Sequence, residues 1–180
     1  MSRLDHIAYR VKDRNATAKF FQEAFGYKVQ QEFTIQFDDG SSAQCIALEP
    51  PEKLGPETPW QFALPASSGQ PHVLHLAPEI FVSDGGPGSI VHEWVQKRDG
   101  IGGIHHLAYQ VDSVEATMKE WRDKGWAQFT SHDVHRCDGL TQVFSAPHPL
   151  TGVIYEFIER GEYGFCKDNV KALMESTAGL

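Results

Sequence analysis

The chain carries Leu4-Asp5-His6-Ile7-Ala8-Tyr9-Arg10-Val11 and, one hundred residues on, Ile104-His105-His106-Leu107-Ala108-Tyr109-Gln110-Val111. Each copy sets a histidine at the third position of a strand-like alternation that runs into helical sequence. Similarity at a fixed offset marks two copies of one supersecondary unit, and a duplicated histidine points to a metal. The correspondence continues: Ala16-Thr17-Ala18-Lys19 is answered by Ala116-Thr117-Met118-Lys119, and Phe25-Gly26-Tyr27 by Lys124-Gly125-Trp126. Further on, Gln44-Cys45-Ile46-Ala47 matches Gln142-Val143-Phe144-Ser145, and Glu79-Ile80-Phe81-Val82 matches Glu156-Phe157-Ile158-Glu159. The first copy is the longer one because of an insertion.

Around these repeats the periodicity predicts a strand over Leu4 to Val11 and a helix over Asn15 to Phe25 that ends at Gly26. The helix's buried stripe is read as Ala16, Phe20, Phe21, Ala24 and Phe25. Strands follow near Val29 to Gln36 and Ser42 to Leu48, parted by the turn Asp38-Asp39-Gly40. A Pro-, Gly- and Ser-rich insertion with Trp60 and Phe62 fills about 50–71, as a lid, an interface arm or a plain surface excursion. Strand sequence resumes over Val73 to Ser83, with Pro78 at an edge or bulge. Ile90 to Lys97 reads as a short helix, and Gly100 to Gly103 as the hinge before the second copy. There a helix opens with Asp112 and Glu115 in capping-box spacing and ends at Gly125. Strands are expected near Gln128 to His132, Leu140 to Ala146 and Val153 to Glu159, and a last helix over Lys167 to Ser176. The expected architecture is α+β: one domain over 1–180, with βαβββ units at about 3–99 and 100–160 and a C-terminal helix at about 167–176.

Composition fits a globular chain with a real core, since its 180 residues are 41% hydrophobic and 22% charged. No stretch approaches the roughly 18 consecutive apolar residues of a membrane span, and the first residues lack a signal peptide's apolar core. A formal net charge of −8 argues against a general nucleic-acid binder and for a small-molecule partner. Cys45, Cys137 and Cys166 are odd in number and not closely paired, so they read as free thiols in a reducing, cytoplasmic setting.

Strand periodicity puts His6 on one face with Leu4, Ala8 and Arg10, leaving Ile7, Tyr9 and Val11 to receive the helix. His106 shares a face with Ala108 and Gln110, and Glu156 with Ile154 and Ile158. On the concave side of a curved sheet, two histidines and a carboxylate can form the facial set that holds ferrous iron with positions left open. Zinc, nickel, cobalt and manganese suit the same donors.

The stretches Asp5-His6-Ile7, Gly103-Ile104-His105-His106-Leu107 and Val153-Ile154-Tyr155-Glu156-Phe157-Ile158 resemble the vicinal-oxygen-chelate superfamily of glyoxalases, bleomycin-resistance proteins and extradiol dioxygenases. The resemblance covers about residues 3 to 160 and implies paired βαβββ units in a cup-shaped barrel around one divalent metal. The ligands it implies are His6, Glu79, His106 and Glu156. More narrowly, Leu140-Thr141-Gln142-Val143-Phe144-Ser145, Tyr155-Glu156-Phe157-Ile158-Glu159-Arg160 and Gly164-Phe165-Cys166-Lys167-Asp168-Asn169-Val170-Lys171-Ala172-Leu173 are similar to the end of 4-hydroxyphenylpyruvate dioxygenases. That likeness implies iron(II) on His6, His106 and Glu156, substrate contact by Gln142, and closure of the pocket by Phe165 and the last helix. The chain departs from the family in having one pair of units where those enzymes have two, Val170 where they place a phenylalanine, and Glu79 where they have no ligand.

Glu79 opens a second reading, because a His, Glu, His, Glu set resembles glyoxalase I, whose relative methylmalonyl-CoA epimerase has glutamine at the second position. Gly102-Gly103-Ile104-His105-His106 also looks like that epimerase's hinge. There a metal polarises a carbonyl and a carboxylate such as Glu79 moves a proton. A third reading is a metal-free binding protein of the bleomycin-resistance kind. Each residue also has a plainer role open to it. The histidines could be core groups bonded to backbone, Glu79 could face solvent after Pro78, Gln142 could satisfy a backbone group, and Phe165 could plug the core. His105 is placed on the opposite face from His106, as a structural residue. His72 with His75, and His132 with His135, have zinc-like spacing but read as surface groups. Trp60 and Phe62 leave room for a homodimer contact.

Overall fold

The computed structural model describes residues 2–51, 61–64, 72–75, 77–137, 140–160 and 165–180. Its elements in chain order are β1 (Arg3–Val11), α1 (Arg14–Phe25), β2 (Lys28–Gln36), β3 (Ser42–Glu49), β4 (Gln61–Leu64), β5 (His72–His75), β6 (Glu79–Gly85), α2 (Ile90–Gln96), β7 (Gly102–Gln110), α3 (Val114–Asp123), β8 (His135–Cys137), β9 (Leu140–Phe144), β10 (Ile154–Glu159) and α4 (Lys167–Ser176). Eight strands form one sheet in the order β2-β3-β6-β1-β7-β10-β9-β8, and β4 and β5 make a separate antiparallel pair. Each half therefore has the expected βαβββ plan, with its first strand parallel to its last: β1 to β6 and β7 to β10. The halves join where β1 runs antiparallel to β7.

The sheet's two faces follow the period-two reading of β1. Ile7, Tyr9 and Val11 pack with Ala18 of α1 and with Ile46, Leu48, Ile80 and Val82. The second half repeats this, Val114 and Met118 of α3 lying on Val111, Val143 and Phe157. Against the inner face, α4 brings Val170 and Met174 onto Ala8, Cys45 and Phe81, and Leu173 onto Phe144 and Ile154. The sheet is thus curled, with α1 and α3 outside, α4 within, and Val91 of α2 joining the inner cluster. Gly102 at the start of β7 has φ +87°, and a Cβ there would lie 2.1 Å from the carbonyl oxygen of Arg10, so the close approach of β7 to β1 at this end requires glycine.

Several expectations need correction. Helix α1 begins as read, with the Asp13 carboxylate accepting from the Ala16 N–H and Gly26 closing it in the left-handed region. Its buried residue, however, is Ala18; Phe20 and Phe25 are more than half exposed, and Phe20 packs edge-on with both Phe25 and Phe21. Helix α3 is capped by Ser113, whose hydroxyl accepts from the Ala116 N–H, not by an Asp112 box. The expected strand at Gln128 to His132 is a single bridge, Phe129 to Ser145, and the edge strand falls later, at His135–Cys137. Val73 to Ser83 is not one strand, since Ala77 and Pro78 lie outside β5 and β6. The insertion supplies a strand, β4, while Trp60 lies outside the described residues and the side chains of Phe62, His72 and His75 with it.

Cysteine pairing also differs from the reading of three free thiols. Cys137 at the end of β8 is bonded to Cys166 at the N-terminus of α4, with Cα atoms 6.2 Å apart, because α4 docks beside this edge of the sheet. Cys45 is free and buried, and burial pushes its thiol up to about 12.

Candidate metal centre

Three strands meet at the centre. His6 comes from β1, His106 from β7 and Glu156 from β10, all buried on the concave face. His6 Nε2 lies 3.2 Å from Glu156 Oε2, His106 Nε2 lies 3.0 Å from the same oxygen, and the two nitrogens are 3.3 Å apart. The three donor atoms form a nearly equilateral triangle. Ligands at ~2.1 Å from a common ion and at right angles stand about 3.0 Å apart, and at a tetrahedral angle about 3.4 Å. The triangle therefore fits one face of a metal's coordination sphere, and among the described residues no further histidine, cysteine or carboxylate joins the group.

Each ligand candidate is held from behind. Asp5 Oδ1 accepts from His6 Nδ1 at 2.7 Å, and the Arg160 guanidinium grips both Asp5 oxygens, at 2.8 and 2.7 Å. His105 Nδ1 meets His106 Nδ1 at 2.8 Å. Gln142 Nε2 donates to the remaining oxygen of Glu156, and Asn169 of α4 donates to Gln142 Oε1 at 3.2 Å. Such partners fix ring orientation and tautomer, leaving Nε2 free for a metal. If His106 donates its Nδ1–H to His105, then His105 keeps its own proton on Nε2.

Two bulges create this arrangement. Between Leu4 and His6 the pairing with β7 gains a residue on β1, so Asp5 has no opposite number; between Ala8 and Tyr9 it gains one on β7, which is His105. In both copies the residue just before the ligand histidine is the bulged one, and in both it becomes that histidine's partner. His105 accordingly turns inward and lines the cavity beside His106, where strict alternation placed it on the other face.

Electrostatics follow from these contacts. Burial alone would raise Glu156, but His6 and His106 outweigh it and hold the carboxyl well below its ordinary value. Burial would lower His6, yet the neighbouring Glu156 and Asp5 carboxylates raise it. Burial lowers His106 and, more strongly, His105, where the Arg10 guanidinium adds to the effect. Asp5 is kept ionised by His6 and Arg160 against its burial.

Glu79 stands apart from the triangle. Its Oε2 accepts from Arg160 Nη2 at 2.6 Å and its Oε1 from Gln30 Nε2 at 3.4 Å. The ladder explains why: His6 is in register with Glu79 across β1 and β6, and Ala8 with Phe81, whereas Ala108 is in register with Glu156 across β7 and β10. The position matching Glu156 in the first half is therefore Phe81, and Glu79 lies two residues short of it. Gln142 lines the cavity but spends both ends of its amide on Glu156 and Asn169. Phe165 lines it too, its ring edge-on to His6 at 5.1 Å and against Phe81 at 5.0 Å. The sequence reading missed Asp5, His105, Asn169 and Arg160. For the first two a signal existed, as both immediately precede the repeated histidine and both can bond an imidazole. His132 pairs with Asp133 at the surface, away from this centre.

The family model of the glyoxalase/bleomycin resistance protein/dioxygenase superfamily matches residues 5–144. The chain belongs to that superfamily. No curated protein matches it by sequence. Among solved structures, a triple mutant of 4-hydroxymandelate synthase from Streptomyces coelicolor superposes with TM-score 0.72 at 20% identity, over 98% of this chain and 53% of that one. The chain thus spans about half the length of that synthase. Methylmalonyl-CoA epimerase from Mycobacterium tuberculosis gives TM-score 0.60 at 19% identity, covering 88% of this chain and 87% of the other. The Streptomyces coelicolor epimerase, in a mutant form bound to 2-nitronate-propionyl-CoA, gives 0.56 at 21%, covering 88% and 97%. At these identities the superfamily's curled fold is what is shared.

Proposed function

We propose that this superfamily member is a metal-dependent oxygenase of a 2-oxo acid, with iron(II) held by His6, His106 and Glu156. The carrying observation is the donor inventory. Two imidazoles and a single carboxylate face one point, and Glu79, which would complete a four-ligand set, is committed to Arg160. A divalent ion on two neutral imidazoles and one carboxylate keeps one net positive charge and open positions, which suit an anionic chelating 2-oxo acid together with dioxygen. The chain's own groups orient and shield: Asp5, His105 and Gln142 fix the ligands, and Phe165, Phe144 and α4 keep water from the buried face. The C-terminal likeness to 4-hydroxyphenylpyruvate dioxygenases and the match to 4-hydroxymandelate synthase over 98% of the chain support the same reading.

Proton transfer of the glyoxalase or epimerase kind needs a free base beside the substrate. Among the described residues lining the cavity the one carboxylate is Glu156, already bound to both histidines, so this alternative lacks the free carboxylate base it calls for. A metal-free binder has no use for three ligands each braced from behind.

Anaerobic reconstitution with iron(II), and separately with cobalt, nickel, manganese and zinc, followed by oxygen-electrode assays on a panel of 2-oxo acids, decides the matter. Oxygen uptake that requires both iron and a 2-oxo acid is the expected result. Its absence, together with metal-supported proton exchange beside a carbonyl or thioester, would transfer the assignment to the isomerases.

A further inference from the structure

Arg10 is the second charged group in the cavity. It follows His6 on the same face of β1 and is 3% exposed. Its partners are neutral: Nη2 donates to Thr177 Oγ1 at 3.0 Å, and the guanidinium lies 5.9 Å from the Trp94 ring centre. Nη1 is buried with no hydrogen-bond partner among the described residues. The nearby charge is another cation, Arg98, stacked on the same tryptophan at 3.7 Å, and burial with Arg98's repulsion brings Arg10 down to about 9. This contrasts with Arg160, whose guanidinium is gripped by two carboxylates. A buried cation is costly to leave uncompensated. Across the ladder from Arg10 is Ser83, whose hydroxyl donates to the Tyr9 carbonyl at 3.3 Å, and His105, also lining the cavity, presents a buried Nε2 with no hydrogen-bond partner among the described residues. Among the described residues lining the cavity the one carboxylate, Glu156, is taken by the two histidines, so none answers the Arg10 charge.

We propose that Arg10 is the seat of a second anionic group on the substrate, so that the enzyme takes a 2-oxo diacid, one end on the metal ligands' open face and the distal carboxylate on the Arg10 guanidinium. A carboxylate would occupy the vacant Nη1 donor with a charge-assisted bond and supply the missing counter-charge. The cavity that Arg10 and the three ligand candidates line together is about 30 Å³, small beside the ~300–1,000 Å³ of drug-sized ligand clefts, so short acids are the ones to test. The 2-oxo end of this assignment rests on the proposed oxygenase reaction; the distal seat does not.

The test is anaerobic calorimetry of the metal-loaded protein with 2-oxoglutarate and 2-oxoadipate against the chain-matched monoacids 2-oxopentanoate and 2-oxohexanoate. At least one diacid should bind about tenfold or more tighter than its partner. Arg10→Met should remove that advantage while leaving monoacid binding as it was, and Arg10→Lys, which keeps the charge, should retain part of it. Equal binding of diacid and monoacid by the unmodified protein overturns the proposal without any variant, and so does an advantage that survives in R10M. Glutarate against pentanoate separates the two readings: an Arg10-dependent preference for glutarate with no binding of any 2-oxo acid upholds the distal seat and removes the oxygenase substrate.

Discussion

At the residue scale, two glutamates on corresponding strands have opposite fates, and the difference is two positions of register. Glu156 closes on both histidines, and Glu79 closes on Arg160. Glu156→Ala should therefore abolish stable metal binding, while Glu79→Gln should leave metal affinity unchanged and act through the Arg160–Asp5 pair; calorimetric titration with cobalt distinguishes them. Loss of metal binding in E79Q would put a fourth ligand back in the sphere. Replacing an outer partner has an intermediate effect, so His105→Leu should weaken metal affinity by about 10–100-fold while the ligands themselves remain. The sign of the pH effect follows as well. Because Glu156 and Asp5 raise His6, the metal-free centre holds a proton at neutral pH that the metal must displace, so affinity should rise with pH and proton release should accompany uptake.

At the element scale, period-two alternation revealed β1 and β7, their helix-facing and concave sides, and the histidines that face inward, because one buried face per strand leaves that mark in sequence. The bulges were not legible. A bulge exists only in the pairing of two strands, and neither Asp5 nor His105 interrupts the alternation when its own strand is read alone. For the same reason sequence similarity aligned Glu79 with Glu156, while the hydrogen-bonded ladders align Phe81 with it. Arg10 could be placed on the His6 face, but its lack of a counter-charge depends on Trp94, Arg98 and Thr177, which are distant in sequence. Disulfide connectivity is likewise a matter of docking, here of α4 against β8. Alkylation followed by mass spectrometry should find no accessible thiol in the native protein, one, Cys45, after unfolding without reductant, and three after reduction. Three labelled thiols without reductant would separate α4 from β8.

At the scale of the whole molecule, the centre straddles the β1–β7 seam: His6 belongs to one half, His106 and Glu156 to the other. A metal there binds the docked halves and not the unfolded chain, so it should stabilise the entire fold, by about 2.7 kcal/mol at a hundredfold excess over its dissociation constant. Chelation should lower the melting temperature as a single transition and metal should restore it; a melting point indifferent to metal would place the ion, if any, away from the seam. The same topology bears on biosynthesis. Both neighbours of β1 lie far downstream, β6 starting at Glu79 and β7 at Gly102, so at the ribosome's pace of about 5–20 residues per second the strand carrying Ile7, Tyr9 and Val11 waits seconds with both edges bare. During that interval it is a target for chaperones, and for the same strand on another nascent chain.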